Sequence, residues 1–300
     1  MRVLITGVSG FVGVRLARRL IASGHQVAGT YIRDRPELEG DIELHEAELL
    51  DPPSLEATFR KVLPEGVIHL AGLAHVGESW QRMHEYFQVN VLGTENLLNA
   101  AAGIPVVVAS SAEVYGLVPE EEQPLAEDRP VAPQSPYALT KAAAERIALA
   151  AGARVVRSFN LVGPGQSAAF ALPSFARQLA AIVAGRHAAV LAVGNLDARR
   201  DFLHVDDGVE GYERVLVSGA EGEVYNLGSG RARSIREMLD LLVEVSGAKV
   251  STRVDADRWR PVDLPLLRAD AARISRLGWA PRRTMREALE ELWAAARSSS

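Results

Sequence analysis

Residues 6–13 read Thr-Gly-Val-Ser-Gly-Phe-Val-Gly, and this stretch joins an apolar run, RVLIT (2–6), to an amphipathic segment at 11–23. Strand, glycine turn and helix in immediate succession let the backbone reverse tightly and approach a ligand closely. The first amides of the helix, left without intrahelical partners, then present partial positive charge to a pyrophosphate. The stretch predicts a dinucleotide site built on Gly7, Gly10, Phe11, Val12 and Gly13.

Outward from the loop, short apolar runs alternate with helical periodicity. Residues 26–30 (QVAGT), 42–45, 67–70 (VIHL), 106–109 (VVVA) and 154–157 (RVVR) read as strands, and 54–62, 81–102 and 136–151 as helices between them. Strand and helix in alternation predict an α/β fold, a Rossmann doubly wound parallel sheet. After Asn160 the rhythm changes to helices near 173–184, 205–218, 235–246 and 284–296 with a strand near 224–226. We expect a dinucleotide-binding domain over 1–160 and a smaller mixed α/β substrate-binding lobe over 161–300, with about 186–222 returning to the first domain.

The second strand ends in GTYIRDR (29–35), where an acid would ordinarily accept hydrogen bonds from the adenosine ribose. Tyr31 stands near that place and Arg33 and Arg35 follow it. An arginine there pairs with a 2′-phosphate, which favours NADP(H) over NAD(H). The alternative leaves the arginines in solvent and gives the ribose to Asp34.

Composition narrows the function. With 300 residues, 48% of them hydrophobic, and a formal charge of -5, the chain buries a sizeable core and carries no basic block for nucleic acid. It has no cysteine, so disulfides and thiolate chemistry are excluded, and a reducing, cytoplasmic location is expected. No apolar run reaches the ~18–20 residues that cross a bilayer, so no membrane partner is expected. Nor is a metal expected: the nearest cluster, His204-Val205-Asp206-Asp207, reads as a helix start capped by Asp206.

The chemistry is carried by SPYALTK (135–141). Pro136 suits a first helical position, and Tyr137 and Lys141 then share one face at i and i+4. A free phenol titrates near 10, and lowering it by about three units takes roughly 4 kcal/mol, which a nearby ammonium and a cationic nicotinamide can supply. SSAEVYG (110–116) follows the fifth strand at the carboxyl end of the sheet, where Ser111 can bond a reacting oxygen. Together these groups suit proton exchange at an alcohol or ketone beside a nicotinamide.

At this point the sequence resembles the extended short-chain dehydrogenase/reductase family, through TGVSGFVG, HLAG (69–72), NVLGTENLL (90–98), SSAEVYG, SPYALTK, RSFNLVGPGQ (157–166), RRDFLHVDD (199–207), YNLGSG (225–230) and LGWAP (277–281) in family order. It is most similar to the GDP-mannose 4,6-dehydratases and the GDP-4-keto-6-deoxy-mannose reductases. The resemblance implies a Ser111, Tyr137 and Lys141 triad, with Asn90 supporting the lysine. Glu48, Leu49, Leu70, Ala71, Asn90 and Arg33 would lie along the cofactor. Arg200 and Arg260 would hold the substrate diphosphate, with Asn160 and Asn226 beside the nucleotide sugar. Glu48 stands where the family usually has Asp. Glu113 follows Ala112 and is either a base at C5, as a dehydratase needs, or a structural carboxylate. The implied activity is reduction of the C4 ketone of a GDP-4-keto-6-deoxy-sugar. A 4,6-dehydratase and a 4-epimerase are the alternatives, and a non-catalytic cofactor sensor lies outside the class. By the same resemblance the helices at 81–102 and 136–151 would pair two copies into a homodimer.

Overall fold

The computed structural model describes residues 1–33, 38, 42–258 and 263–298. Strand β1 (Arg2–Thr6) leads through the glycine loop into α1 (Phe11–Ala22), followed by β2 (Gln26–Tyr31), β3 (Glu43–Glu46), α2 (Pro52–Val62) and β4 (Gly66–His69). After α3 (Val76–Ser79), the segment read as one helix over 81–102 is instead several pieces: α4 (Met83–Phe87), a π-helical turn (Gln88–Leu92) and α5 (Gly93–Ala100). Next come β5 (Val106–Ser111), α6 (Pro136–Ala150), β6 (Arg154–Ser158) and β7 (Asn160–Val162).

The remainder holds α7 (Ala171–Val183), β8 (Val190–Val193), β9 (Arg199–His204), α8 (Val205–Ser218), β10 (Val224–Leu227), β11 (Ala232–Ser234) and α9 (Ile235–Ser246). It ends with β12 (Ser251–Val254), β13 (Leu266–Leu267), α10 (Ala272–Ser275) and α11 (Met285–Ser298).

Seven strands form one parallel sheet in the order β10-β6-β5-β4-β1-β2-β3, with helices on both faces. This is a Rossmann-like, doubly wound sheet. Its strands are buried on both faces, as the unbroken apolar runs at β1, β4 and β5 require. Helix α1 turns Gly13, Leu16, Ala17 and Leu20 inward and packs them toward α8. Burying each leucine there contributes about 2 kcal/mol.

A second unit gathers a small sheet, β11-β9-β13 with β7 beside β9, and a parallel pair, β8 and β12, under α7, α9 and α11. The chain does not pass once from the first unit to the second. Helix α8 and strand β10 return to the large sheet, and Ile274 and Trp279 join its core. Among the described residues no helix is long and apolar enough to cross a membrane.

Candidate active site

The loop after β1 is shaped by steric need. Gly7 holds φ +70°, and a Cβ there would lie 2.8 Å from Ala71 Cα; a Cβ at Gly13 would lie 2.7 Å from Val8 Cα. Gly10 occupies the N-cap of α1 with no side-chain cap, so the amides that open the helix remain for a ligand. A cradle that admits only glycine, set under an uncapped helix start, fits a pyrophosphate. Leu70 donates its amide to Thr6 O at 3.2 Å, which seats the Leu70–Ala71 strand end against the loop. Leu49 is buried against Gly93, while Glu48 and Arg33 are exposed at the ends of neighbouring connections. Arg35 and Asp34, weighed above for cofactor choice, lie outside the described residues, as does Arg260.

Beneath the loop runs a buried chain of hydrogen bonds with one consistent polarity. Thr94 Oγ1 donates to Asn90 O at 2.6 Å, so it accepts from His69 Nε2 at 3.1 Å. The opposite ring nitrogen, Nδ1, then accepts from Thr6 Oγ1 at 2.7 Å. Burial, seconded by the charge of Lys141, pushes the His69 pKa down to about 3, so the ring stays neutral.

Ser111 ends β5, and Tyr137 and Lys141 start α6 as expected: Ser135 caps the helix by accepting from Ala138 N at 3.1 Å, and Pro136 follows. Tyr137 is 7% exposed. The expectation of a phenol lowered by Lys141 is corrected: burial pushes Tyr137 well above the usual tyrosine value, Glu113, Tyr212 and Tyr86 add to the rise, and the Ser111 hydroxyl works against it. Stripped of water, the phenolate is the costly form, so the phenol holds its proton. Lys141 donates from Nζ to Ala109 O at 2.9 Å, and burial, opposed by Glu145, pushes it down to about 8.

The Asn90 side chain accepts from Leu73 N at 2.8 Å and donates to Leu73 O and Thr140 Oγ1, both at 3.0 Å. At 2% exposure it braces the segment that carries Gly72 and Leu73.

At the same sheet end, register sets Ser111 opposite Ser158, two residues before Asn160. Asn160, exposed, and Arg200, 5% exposed, line a cavity of about 610 Å³. Arg200 donates from Nη2 to Asp263 Oδ1 at 2.8 Å and from Nη1 to Leu264 O at 2.6 Å, while Asn195 Nδ2 donates to Asp263 Oδ2 at 2.6 Å. Asn226 is elsewhere. It sits on β10 with no exposure, donating to Leu125 O at 2.7 Å and accepting from Tyr115 OH at 2.7 Å.

Sequence reasoning missed three residues that line the cavity. Arg258 brings a second described guanidinium, with Nη1 donating to Ser174 Oγ at 3.0 Å. His75 donates from Nε2 to Ala169 O at 3.2 Å and meets Phe170 edge-on at 5.7 Å, and Trp80 stands exposed nearby. The arginines crowded at 253, 258 and 260 were the available signal for the first. The other two stand in no chemical motif.

His204, Asp206 and Glu291 group their donor atoms within 4.8 Å of one another. The helix cap is His204 rather than Asp206: His204 Nδ1 accepts from Asp206 N at 3.0 Å. With Nδ1 accepting, any ring proton sits on Nε2, facing Glu291 at 3.6 Å, where a cation would need a lone pair. Arg15 and Arg283 each pair with Asp206 and Glu291.

Comparison with known proteins agrees with this geometry. The family model for GDP-mannose 4,6 dehydratase matches residues 4–292. The chain is 36% identical to the GDP-6-deoxy-D-mannose reductase of Pseudomonas aeruginosa, over 97% of this chain and 95% of the relative. It is 32% identical to a UDP-glucose 4-epimerase of Bacillus subtilis, over 98% and 96%. The structure of RMD from Pseudomonas aeruginosa complexed with NADPH superposes with a TM-score of 0.88 at 35% identity, covering 100% of both chains. With the glycine cradle, the Ser111, Tyr137 and Lys141 cluster and the matched length all in agreement, the chain belongs to the GDP-mannose 4,6 dehydratase family.

Proposed function

We propose that the protein is a nucleotide-sugar reductase that converts the C4 ketone of GDP-4-keto-6-deoxy-mannose to the alcohol, with NADP(H) favoured and NAD(H) as the second choice. One observation carries the reading: the Tyr137 phenol, Ser111 and Lys141 come together, largely buried, where β5 ends and α6 begins, as a proton donor, an oxygen-orienting hydroxyl and a nearby amine must. The likeness to a GDP-6-deoxy-D-mannose reductase, and to a structure complexed with NADPH, supports the same substrate and cofactor.

Gly7, Gly10 and Gly13 with the first amides of α1 would hold the pyrophosphate, and Arg33 the 2′-phosphate. A nicotinamide cofactor held there would supply the hydride that the ketone carbon receives. Ser111 orients the ketone oxygen and Tyr137 gives it a proton, while the Lys141 ammonium steadies the phenolate left behind. Arg200, Arg258 and Arg260 would face the substrate diphosphate, with Asn160 toward the sugar.

Purified protein mixed with the keto sugar and NADPH should consume the two in equal amounts. A second reading, dehydratase or 4-epimerase chemistry, draws on Glu113, whose charge reaches Tyr137. Those reactions return their cofactor, so turnover without net loss of NADPH would replace the first reading with the second. A pure sensor would show neither.

We further infer a homodimer that pairs the α4 to α5 region and α6, where Met83, Leu92 and Leu139 stand exposed. A cytoplasmic location suits a cysteine-free chain that draws on a reduced cofactor.

A further inference from the structure

Behind the reacting trio lies a buried polar group to which the proposed reaction gives no task. Glu145 stands one turn beyond Lys141 on α6, as Lys141 stands one turn beyond Tyr137, so the three share a helix face. Glu145 is 2% exposed. Its carboxylate accepts a short hydrogen bond from Ser110 Oγ, and bonds from Arg157 Nε at 3.0 Å and Nη2 at 2.8 Å. Arg157 lies 4.8 Å over the Tyr115 ring and donates to Glu127 O at 3.2 Å. Ser110 immediately precedes Ser111 on β5, so the Ser110 bond ties the strand end to α6.

We propose that Glu145 is a positioning residue of the reductase site: its buried carboxylate pins the strand end that carries Ser111 and supplies the counter-charge that keeps Lys141 an ammonium. This rests on the reading that Lys141 serves Tyr137.

The surroundings of Lys141 single out Glu145. From β4, His69 faces it as a neutral ring, and from β5 the Ala109 carbonyl accepts its proton. Tyr137 on the same helix is neutral by burial, and Glu113, Tyr86 and Tyr212 act on that phenol. From the π turn, the Asn90 amide braces the Gly72–Leu73 backbone. Of the Glu145 and Arg157 pair, the carboxylate is the member whose charge acts on Lys141, opposing the burial that pushes the amine down to about 8. Without it burial acts on the amine unopposed and pushes it further down.

The chain contains three lysines, and Lys61 and Lys249 are exposed. The ε-carbon NMR signals of labelled lysine in the full chain therefore report Lys141 directly. Its titration midpoint should fall by roughly one unit or more in Glu145→Gln, with Lys61 and Lys249 unmoved. Glu145→Asp, which keeps the charge, should hold the midpoint near that of the native chain. Because Glu145→Gln leaves Arg157 buried without its partner, E145Q/R157Q removes the pair as a unit; the melting point should recover while the Lys141 midpoint stays low. Ser110→Ala should lower kcat with the midpoint unchanged. An unmoved midpoint in E145Q/R157Q, or native kcat in Ser110→Ala, would overturn the proposal. Full activity in Lys141→Ala would instead defeat the reading of Lys141 and leave the NMR result standing.

Discussion

Tyr137 and Lys141 show how burial decides between two forms of one side chain. Water stabilises phenolate and ammonium alike, so removing it drives the phenol up and the amine down. Both shifts run that way here. Replacing Tyr137 with Phe deletes the donor oxygen and should lower kcat by about 10² to 10⁴, with the melting temperature nearly unchanged, in assays of NADPH consumption. Since Lys141 is charged below about 8, kcat/KM should decline as pH rises through that value, and a flat alkaline profile would contradict the role given to the amine. The trio was legible in the sequence because its chemistry demands particular residue types at a helical spacing. The direction of the phenol shift was not, because it comes first from burial, and the packing that buries Tyr137 is not written in its own helix.

At the scale of elements, the glycine loop follows from its letters, whereas the break in the helix over 81–102 does not. A periodic apolar pattern says nothing of a π turn, and it is within this turn that Asn90 directs its amide inward to hold the Leu73 backbone. Strand β9 was missed for a related reason. Its letters, RRDFLH, look solvated, yet Asp201 has no exposure and accepts from Ser229 N at 2.7 Å, Gly230 N at 2.8 Å and Ala269 N at 3.1 Å. Polar residues read as surface until their partners are known. Asp201→Ala would strand those buried amides and should cost at least ~2 kcal/mol in urea unfolding. Gly7→Ala forces a Cβ onto Ala71 at a φ that favours glycine, and calorimetry should register lost cofactor binding before lost fold. His69 joins β4 to the glycine loop as a neutral ring. Its native pKa of about 3 lies below the unfolded 6.5, so between those values the unfolded chain binds the extra proton and stability falls as pH falls. Urea midpoints across that interval should drop in the native chain and flatten in His69→Gln.

For the whole molecule, the alternation of strand and helix was enough to name the architecture, since a parallel sheet buried on both faces writes itself as continuous apolar runs. The second unit was less legible because its strands are short and partly charged. The proposed dimer is checked by light scattering at micromolar concentration; Leu92→Asp with Leu139→Glu should shift it to monomer and leave Tyr137 chemistry in place. The path of the chain carries a consequence for anyone recombining relatives. One edge strand of the large sheet, β10, and the helix α8 beside it are encoded beyond the first strands of the other unit. A fragment ending near residue 160 would expose a raw flank of β6 and bare the apolar side that α8 covers. Specificity therefore cannot be exchanged by one crossover; a working hybrid needs several junctions that leave 205–227 with its native host.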